Sequence, residues 1–152
     1  MNIKIVEARK EHLAEVLDWL RAEEERFGEG FYCHRDVIAS SFQDGEVYCA
    51  LSEGEVAGFV VHNRKQIGSA IDLLEVRPDL RGRRFGKLLA DDVTQRLFAM
   101  GAEFIEVKCA PRSSEGFWRT RGFTLVASKC SSSLDAPLLI LRRPADSGPN
   151  LE

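Results

Sequence analysis

The chain has 152 residues, a formal net charge of -3 and a sequence pI of about 5.7. That length suits one domain with one ordinary hydrophobic core, and the mild acidity excludes a whole-surface electrostatic grip on nucleic acid, so any basic cluster has to be read locally. No window approaches the roughly 18–20 consecutive apolar residues of a membrane span, and the opening MNIKIVEARK lacks the apolar core of a secretory signal, so a soluble cytoplasmic protein with no membrane partner is expected.

The first predicted element is a strand, IKIV. A helix follows over EHLAEVLDWLRAEEERFG, in which Leu13, Val16, Leu17 and Leu20 share one face and Gly28 ends the run. The acidic run Glu23 to Glu25 reads as the solvated end of that helix. GEGFYCHRD leads into a weaker helix around Val37 to Phe42. VYCAL and VAGFVVH, rich in β-branched and aromatic residues and joined by SEGE, read as an antiparallel pair.

IDLLEV is a further strand. Beyond it lie five basic residues, Arg77, Arg81, Arg83, Arg84 and Lys87, and two glycines, Gly82 and Gly86. A helix then carries Phe85, Leu88, Leu89, Val93, Leu97 and Met100 at helical spacing up to Gly101. FIEVKCA is again a strand, SSEGFWRTRG a short helix with Ser at its start and Gly at its end, and FTLV and LLILRR finish the sheet. The polar tail over 144–152 is expected to be mobile.

Cys33, Cys49, Cys109 and Cys130 are widely spaced with no C-x-x-C pair, which argues for reduced, mostly buried thiols and against zinc or redox chemistry. His12, His34 and His62 are equally scattered, so no metal is expected.

The basic segment between strand and helix has a physical logic. The first N–H groups of a helix lack intrahelical acceptors, and the helix dipole places partial positive charge there. Anionic oxygens suit such a place, glycine lets a ligand approach the backbone, and arginines add charge-assisted contacts. Three readings remain open on these grounds: a diphosphate cradle, a solvated basic loop and a nucleic-acid patch.

Leu74-Glu75-Val76-Arg77-Pro78 followed by Arg81-Gly82-Arg83-Arg84-Phe85-Gly86 resembles the L-x-V-x-P and Q/R-x-x-G-x-G/A hallmarks of the GNAT superfamily of acyl-CoA-dependent N-acyltransferases. GFWRTRGF resembles the later family signature F-Y-x-x-x-G-F, and the order of elements matches from about residue 2 to 143. The resemblance implies an α/β (α+β) fold in one domain over 1–143. Its mixed, strongly twisted sheet would have six to seven strands and about four flanking helices, with IDLLEV and FIEVKC splaying apart at their ends. It further implies acetyl-CoA as cosubstrate, with no metal. The pantetheine arm would lie along backbone at Leu74, Glu75 and Val76, and the pyrophosphate on Arg81, Gly82, Arg83, Arg84, Phe85, Gly86 and Lys87. Ser114, Phe117 and Trp118 would border the cofactor. The implied reaction moves an acetyl group directly to a primary amine of a small molecule or a peptide, in a ternary complex, with no nucleic acid involved and with a homodimer allowed. The same fold also serves an alternative, a non-catalytic acyl-CoA-binding regulatory module.

An amine attacks only when unprotonated, so a carboxylate base is expected. IEVK resembles the L-E-V-R strand of the branch that acetylates protein N-termini, which makes Glu106 the first candidate, with Glu75 and Asp72 as fallbacks. Trp118 stands where many members carry a tyrosine that protonates the leaving thiolate, and an indole N–H is no proton source near neutral pH. Tyr32 and Tyr48 are substitutes for which packing roles are expected. Arg84 stands where the motif usually has its first glycine, and ordinary right-handed torsions in the first turn of the helix are expected of it. Pro111 replaces a common asparagine. The acceptor would be shaped by EEERFGEGFYCHRD and ASKCSSSLDAP.

Overall fold

The computed structural model describes residues 2–109, 112–126 and 136–145. Its strands are β1 (Ile3–Glu7), β2 (Val47–Ser52), β3 (Glu55–Arg64), β4 (Ser69–Val76), β5 (Phe104–Lys108), β6 (Thr124–Leu125) and β7 (Leu138–Arg142). The helices are α1 (Lys10–Phe27), α2 (Arg35–Gln43), α3 (Phe85–Ala99) and α4 (Glu115–Thr120). The seven strands are hydrogen-bonded in the order β1-β2-β3-β4-β5-β7-β6. β4 pairs with β5 in parallel and the β1–β2, β2–β3, β5–β7 and β6–β7 pairs are antiparallel, so the sheet is mixed, as expected. The chain divides into two compact units, Met1–Asn63 with Leu73–Val93 and Arg64–Asp72 with Thr94–Glu152.

In the first unit, α1 ends where Gly28 turns left-handed (φ 77°) and its N–H bonds the Glu24 carbonyl at 2.7 Å, the usual role of a glycine after a helix. Val16, Trp19 and Leu20 lie three and four residues apart, and so face one way into a core with Ile38, Val47, Cys49, Val56, Phe59 and Val61. Each large side chain buried there contributes roughly 1.5–3 kcal/mol. The β2–β3 hairpin turns on Glu53 (φ 54°) and Gly54 (φ 83°), a pair of left-handed residues that matches the strand twist. Gly58 lies in the middle of β3 for a steric reason. A Cβ there would stand 2.9 Å from the Glu75 carbonyl oxygen, so only glycine lets the backbone that carries Glu75 come this close.

In the second unit, β4 and β5 pair from Ser69↔Ile105 to Ile71↔Val107, and β5 and β7 from Phe104↔Arg142 to Lys108↔Leu138. Ile105, Val107 and Leu139 are buried, and Trp118 of α4 packs edge-on to Phe123 at 5.2 Å. Two local expectations change. Ser114 does not cap α4, because a 3-10 turn over Arg112–Ser114 runs straight into the helix and leaves Ser114 helical; its hydroxyl hydrogen-bonds the Cys109 thiol instead. Leu88 on α3 and Met100 just beyond it are exposed, so the buried stripe of α3 narrows to Phe85, Leu89, Ala90, Val93 and Leu97.

Cys49 and Cys109 are buried thiols and Cys33 is exposed. Cys130, Pro111, most of ASKCSSSLDAP and the tail from 146 onward lie outside the described residues. Among the described residues, no helix is long and apolar enough to cross a membrane.

Candidate active site

Beyond Val76 the chain leaves β4 through a 3-10 turn, Pro78–Leu80, and the five basic side chains part company. Arg77 folds back onto Asp79 (2.7 and 3.2 Å) and Glu55 (3.2 Å), and its hydrogen bonds hold the Asp79 carboxyl below the usual carboxylate range. Arg81 turns inward. Its Nε donates to the Val76 carbonyl at 3.0 Å, and its Nη2 donates to Glu23 Oε2 and Glu75 Oε2, each at 2.8 Å. Arg83, Arg84 and Lys87 are exposed and carry no ion pair among the described residues. Two of the five cations therefore brace the loop and three are available to a ligand.

The backbone between them is shaped by two left-handed residues, Gly82 (φ 82°) and Arg84 (φ 71°). The ordinary torsions expected of Arg84 are thus overturned. Its carbonyl accepts the first bond of α3, from Leu88 N–H at 3.0 Å, so Arg84 immediately precedes the helix and is not part of its first turn. There the chain must reverse to enter α3, and a non-glycine residue held in that region costs about 1–2 kcal/mol. Among the described residues, the N–H groups from Gly82 to Lys87 have no acceptor. The last three belong to the first turn of α3, where helical geometry leaves amides unpaired, and the alternation of torsions before them turns further amides outward. A Cβ on Gly82 would meet nothing within 4 Å, so the space in front of that residue is open.

Leu74 and Val76 are half-buried, and Glu75 between them points to the opposite face, as strand alternation requires. Its side chain is 7% exposed and meets Glu23, 8% exposed, across Arg81. The acidic run of α1 is therefore not uniformly solvated. Glu23 lies seven residues after Val16 and three after Leu20, on the buried stripe, and that periodicity was the signal that could have found it. Burial, followed by the hydrogen bond and charge of Glu23, pushes the Glu75 carboxyl up to about 9 against the pull of Arg81. The two carboxyl groups are buried, while the Arg81 guanidinium that joins them is 48% exposed. Glu23 Oε1 is buried with no hydrogen-bond partner among the described residues, and a Cβ on Gly30 (φ 139°) would stand 3.1 Å from it.

In the second unit, Glu106 faces Ala70 and Ile140 in register, and its half-buried carboxylate stands 3.6 Å from Lys65 Nζ. Asp72 is exposed. Trp118 is 4% exposed and edge-on to both Phe117 (5.0 Å) and Phe123 (5.2 Å), an aromatic core position. Tyr32 lies under the Arg35 guanidinium at 4.6 Å and accepts from Arg21 Nε at 3.4 Å, while Tyr48 stacks on His62 at 5.1 Å; both tyrosines are packed, as expected.

The model of the acetyltransferase (GNAT) family matches residues 13–123. Among solved structures, the chain is similar in fold to N-acetylglutamate synthase from Neisseria gonorrhoeae, complexed with coenzyme A and N-acetyl-glutamate: TM-score 0.72, 14% identity, 93% of this chain and 35% of that one. The chain thus spans about a third of that enzyme. It is also similar to PaiA N-acetyltransferase from Thermoplasma acidophilum in complex with coenzyme A, with TM-score 0.72, 13% identity and coverage of 94% and 100%. A GNAT family acetyltransferase from Brucella melitensis in complex with acetyl-CoA gives 0.71, 15%, and coverage of 99% and 92%. Comparison with curated protein sequences gave no match.

Proposed function

Because the chain belongs to the acetyltransferase (GNAT) family, we propose that it transfers an acetyl group from acetyl-CoA directly to a primary amine of a small molecule or a peptide, with both substrates held at once. The family match runs through both compact units, which supports one transferase domain over 1–143. The observation that carries the cofactor assignment is the succession of amides from Gly82 to Lys87 that lack an acceptor among the described residues, with Arg83, Arg84 and Lys87 exposed beside them. Pyrophosphate oxygens fit such donors, since each gains an N–H bond strengthened by the positive end of α3 and by neighbouring cations.

Acetyl-CoA, when bound, supplies the activated acyl group. The chain's own residues would bind and steer: backbone at Leu74 and Val76 would hold the pantetheine arm, and Ser114 and Phe117 are the further candidates to border it. Glu106 takes the proton of the acceptor amine. Glu75 is the weaker candidate base because its side chain is turned into the buried pair with Arg81. Trp118 supplies packing to the site and no proton.

The test is calorimetric titration with acetyl-CoA followed by thiol-release assays on polyamines, aminoglycosides, amino acids and peptide N-termini. Ligand at about 100 times its dissociation constant should add roughly 2.7 kcal/mol of stability. No binding at millimolar acetyl-CoA would overturn the assignment. Binding without release from any amine would leave an acyl-CoA-binding module.

A further inference from the structure

Among the described residues, Arg81 is the only one of the basic loop whose guanidinium reaches a different helix. Its bonds to Val76 and Glu75 close the loop on the strand it came from, five and six residues back, whereas its bond to Glu23 crosses 58 positions to α1. α1 is itself held in the core by Val16, Trp19 and Leu20, so Glu23 offers a fixed reference point. Immediately after Arg81 come the left-handed Gly82 and the amides without acceptors.

We propose that Glu23 is a positioning residue for the cofactor loop: by holding Arg81, it sets the exit of β4 in the geometry that aims the amides of Gly82 to Lys87 at the pyrophosphate. This rests on the reading that the loop binds acetyl-CoA. A stability role accounts poorly for the arrangement. Two buried carboxyl groups converge on one guanidinium that is itself 48% exposed, a pairing worth little in stability and one that apolar side chains could replace at small cost. Geometry is what such side chains could not supply. Gly30 serves the same end, because its missing side chain leaves Glu23 room to lie flat against the turn after α1.

The test separates reach from charge. Glu23→Gln keeps an oxygen at the same reach for Arg81 and offers its amide to Glu75. Glu23→Asp keeps the charge but withdraws it by about 1.5 Å, one C–C bond. Dissociation constants for coenzyme A and for adenosine 3′-phosphate 5′-diphosphate, which retains the pyrophosphate without the pantetheine arm, are measured by calorimetry, with KM and kcat alongside. Glu23→Asp should weaken both ligands and raise the KM for acetyl-CoA by about tenfold, the loss of one charge-assisted hydrogen bond. Its kcat at saturation should stay within about twofold, and Glu23→Gln should bind within about threefold of wild type, both changes being well below one such bond. Wild-type affinity in Glu23→Asp, or an equal loss in Glu23→Gln, would overturn the proposal. Should Glu23→Asp fail to fold, Glu23→Ala takes its place: binding of both ligands about tenfold weaker, beside near-wild-type Glu23→Gln, supports the positioning role, and wild-type affinity in Glu23→Ala sinks it. A wild-type chain that binds neither ligand would overturn the cofactor reading itself, and the positioning role with it.

Discussion

Arg81 Nη2 lies 2.8 Å from Glu23 Oε2 and 2.8 Å from Glu75 Oε2, so a single guanidinium serves two buried carboxyl groups, one from α1 and one from β4. Two negative charges on one positive charge would leave a net buried charge. The proton retained by Glu75 removes it.

That proton makes stability depend on pH. The Glu75 carboxyl titrates near 4.5 when unperturbed and is raised to about 9 in the native state. Between those values the native state binds one more proton than the unfolded state, so raising the pH favours unfolding, with a slope of at most about 1.4 kcal/mol per pH unit from one group. The contribution is complete below the lower value and lost as the pH passes the higher one. Thermal melts from pH 6 to 9 should show a falling Tm in the wild type. Glu75→Gln, which keeps a neutral group at the same place, should flatten the fall, and parallel profiles would contradict the shared proton.

Arg84 occupies left-handed backbone that glycine adopts freely. Arg84→Gly should therefore raise stability by about 0.5–1 kcal/mol, the relief of strain less the entropy glycine gains on unfolding, or a Tm gain of about 2–4 °C. Affinity for acetyl-CoA should hold or fall by no more than about 1–3 kcal/mol, the range for one charge-assisted hydrogen bond. A tighter complex on titration would show that the arginine side chain obstructs the loop.

Trp118 tests the lost proton donor. At 4% exposure and with aromatic neighbours on two sides, its replacement by the smaller tyrosine should cost about 1–3 kcal/mol in stability. Turnover near neutral pH should not rise. A rise, with the melt unchanged, would restore a proton-donating role to the position.

Glu106→Gln preserves shape and removes the proposed base. The expected loss in kcat is about 10²-fold or more with affinity for acetyl-CoA nearly unchanged, and the acidic limb of the pH–rate profile should disappear. Near-normal turnover would pass the role to Glu75, Asp72 or water.

The order of strands and helices was determined by the sequence alone, because strand alternation, helical spacing and turn glycines act over a few residues. The contiguous segment Leu74 to Lys87 likewise marked the proposed cofactor loop. What each basic residue of that loop does was decided only by tertiary structure. Arg77 and Arg81 are consumed by carboxylates, and nothing within their own segment shows that Glu23, 58 positions away, will be buried beside Arg81. The periodicity of α1 placed Glu23 on the apolar stripe, but whether a carboxylate there snorkels to water or is sealed in depends on the loop that closes over it. Arg84 is the same lesson at the backbone level. Its torsion is imposed by the entry to α3 and the reversal at Gly82, a constraint of chain path that overrides the preference of an arginine.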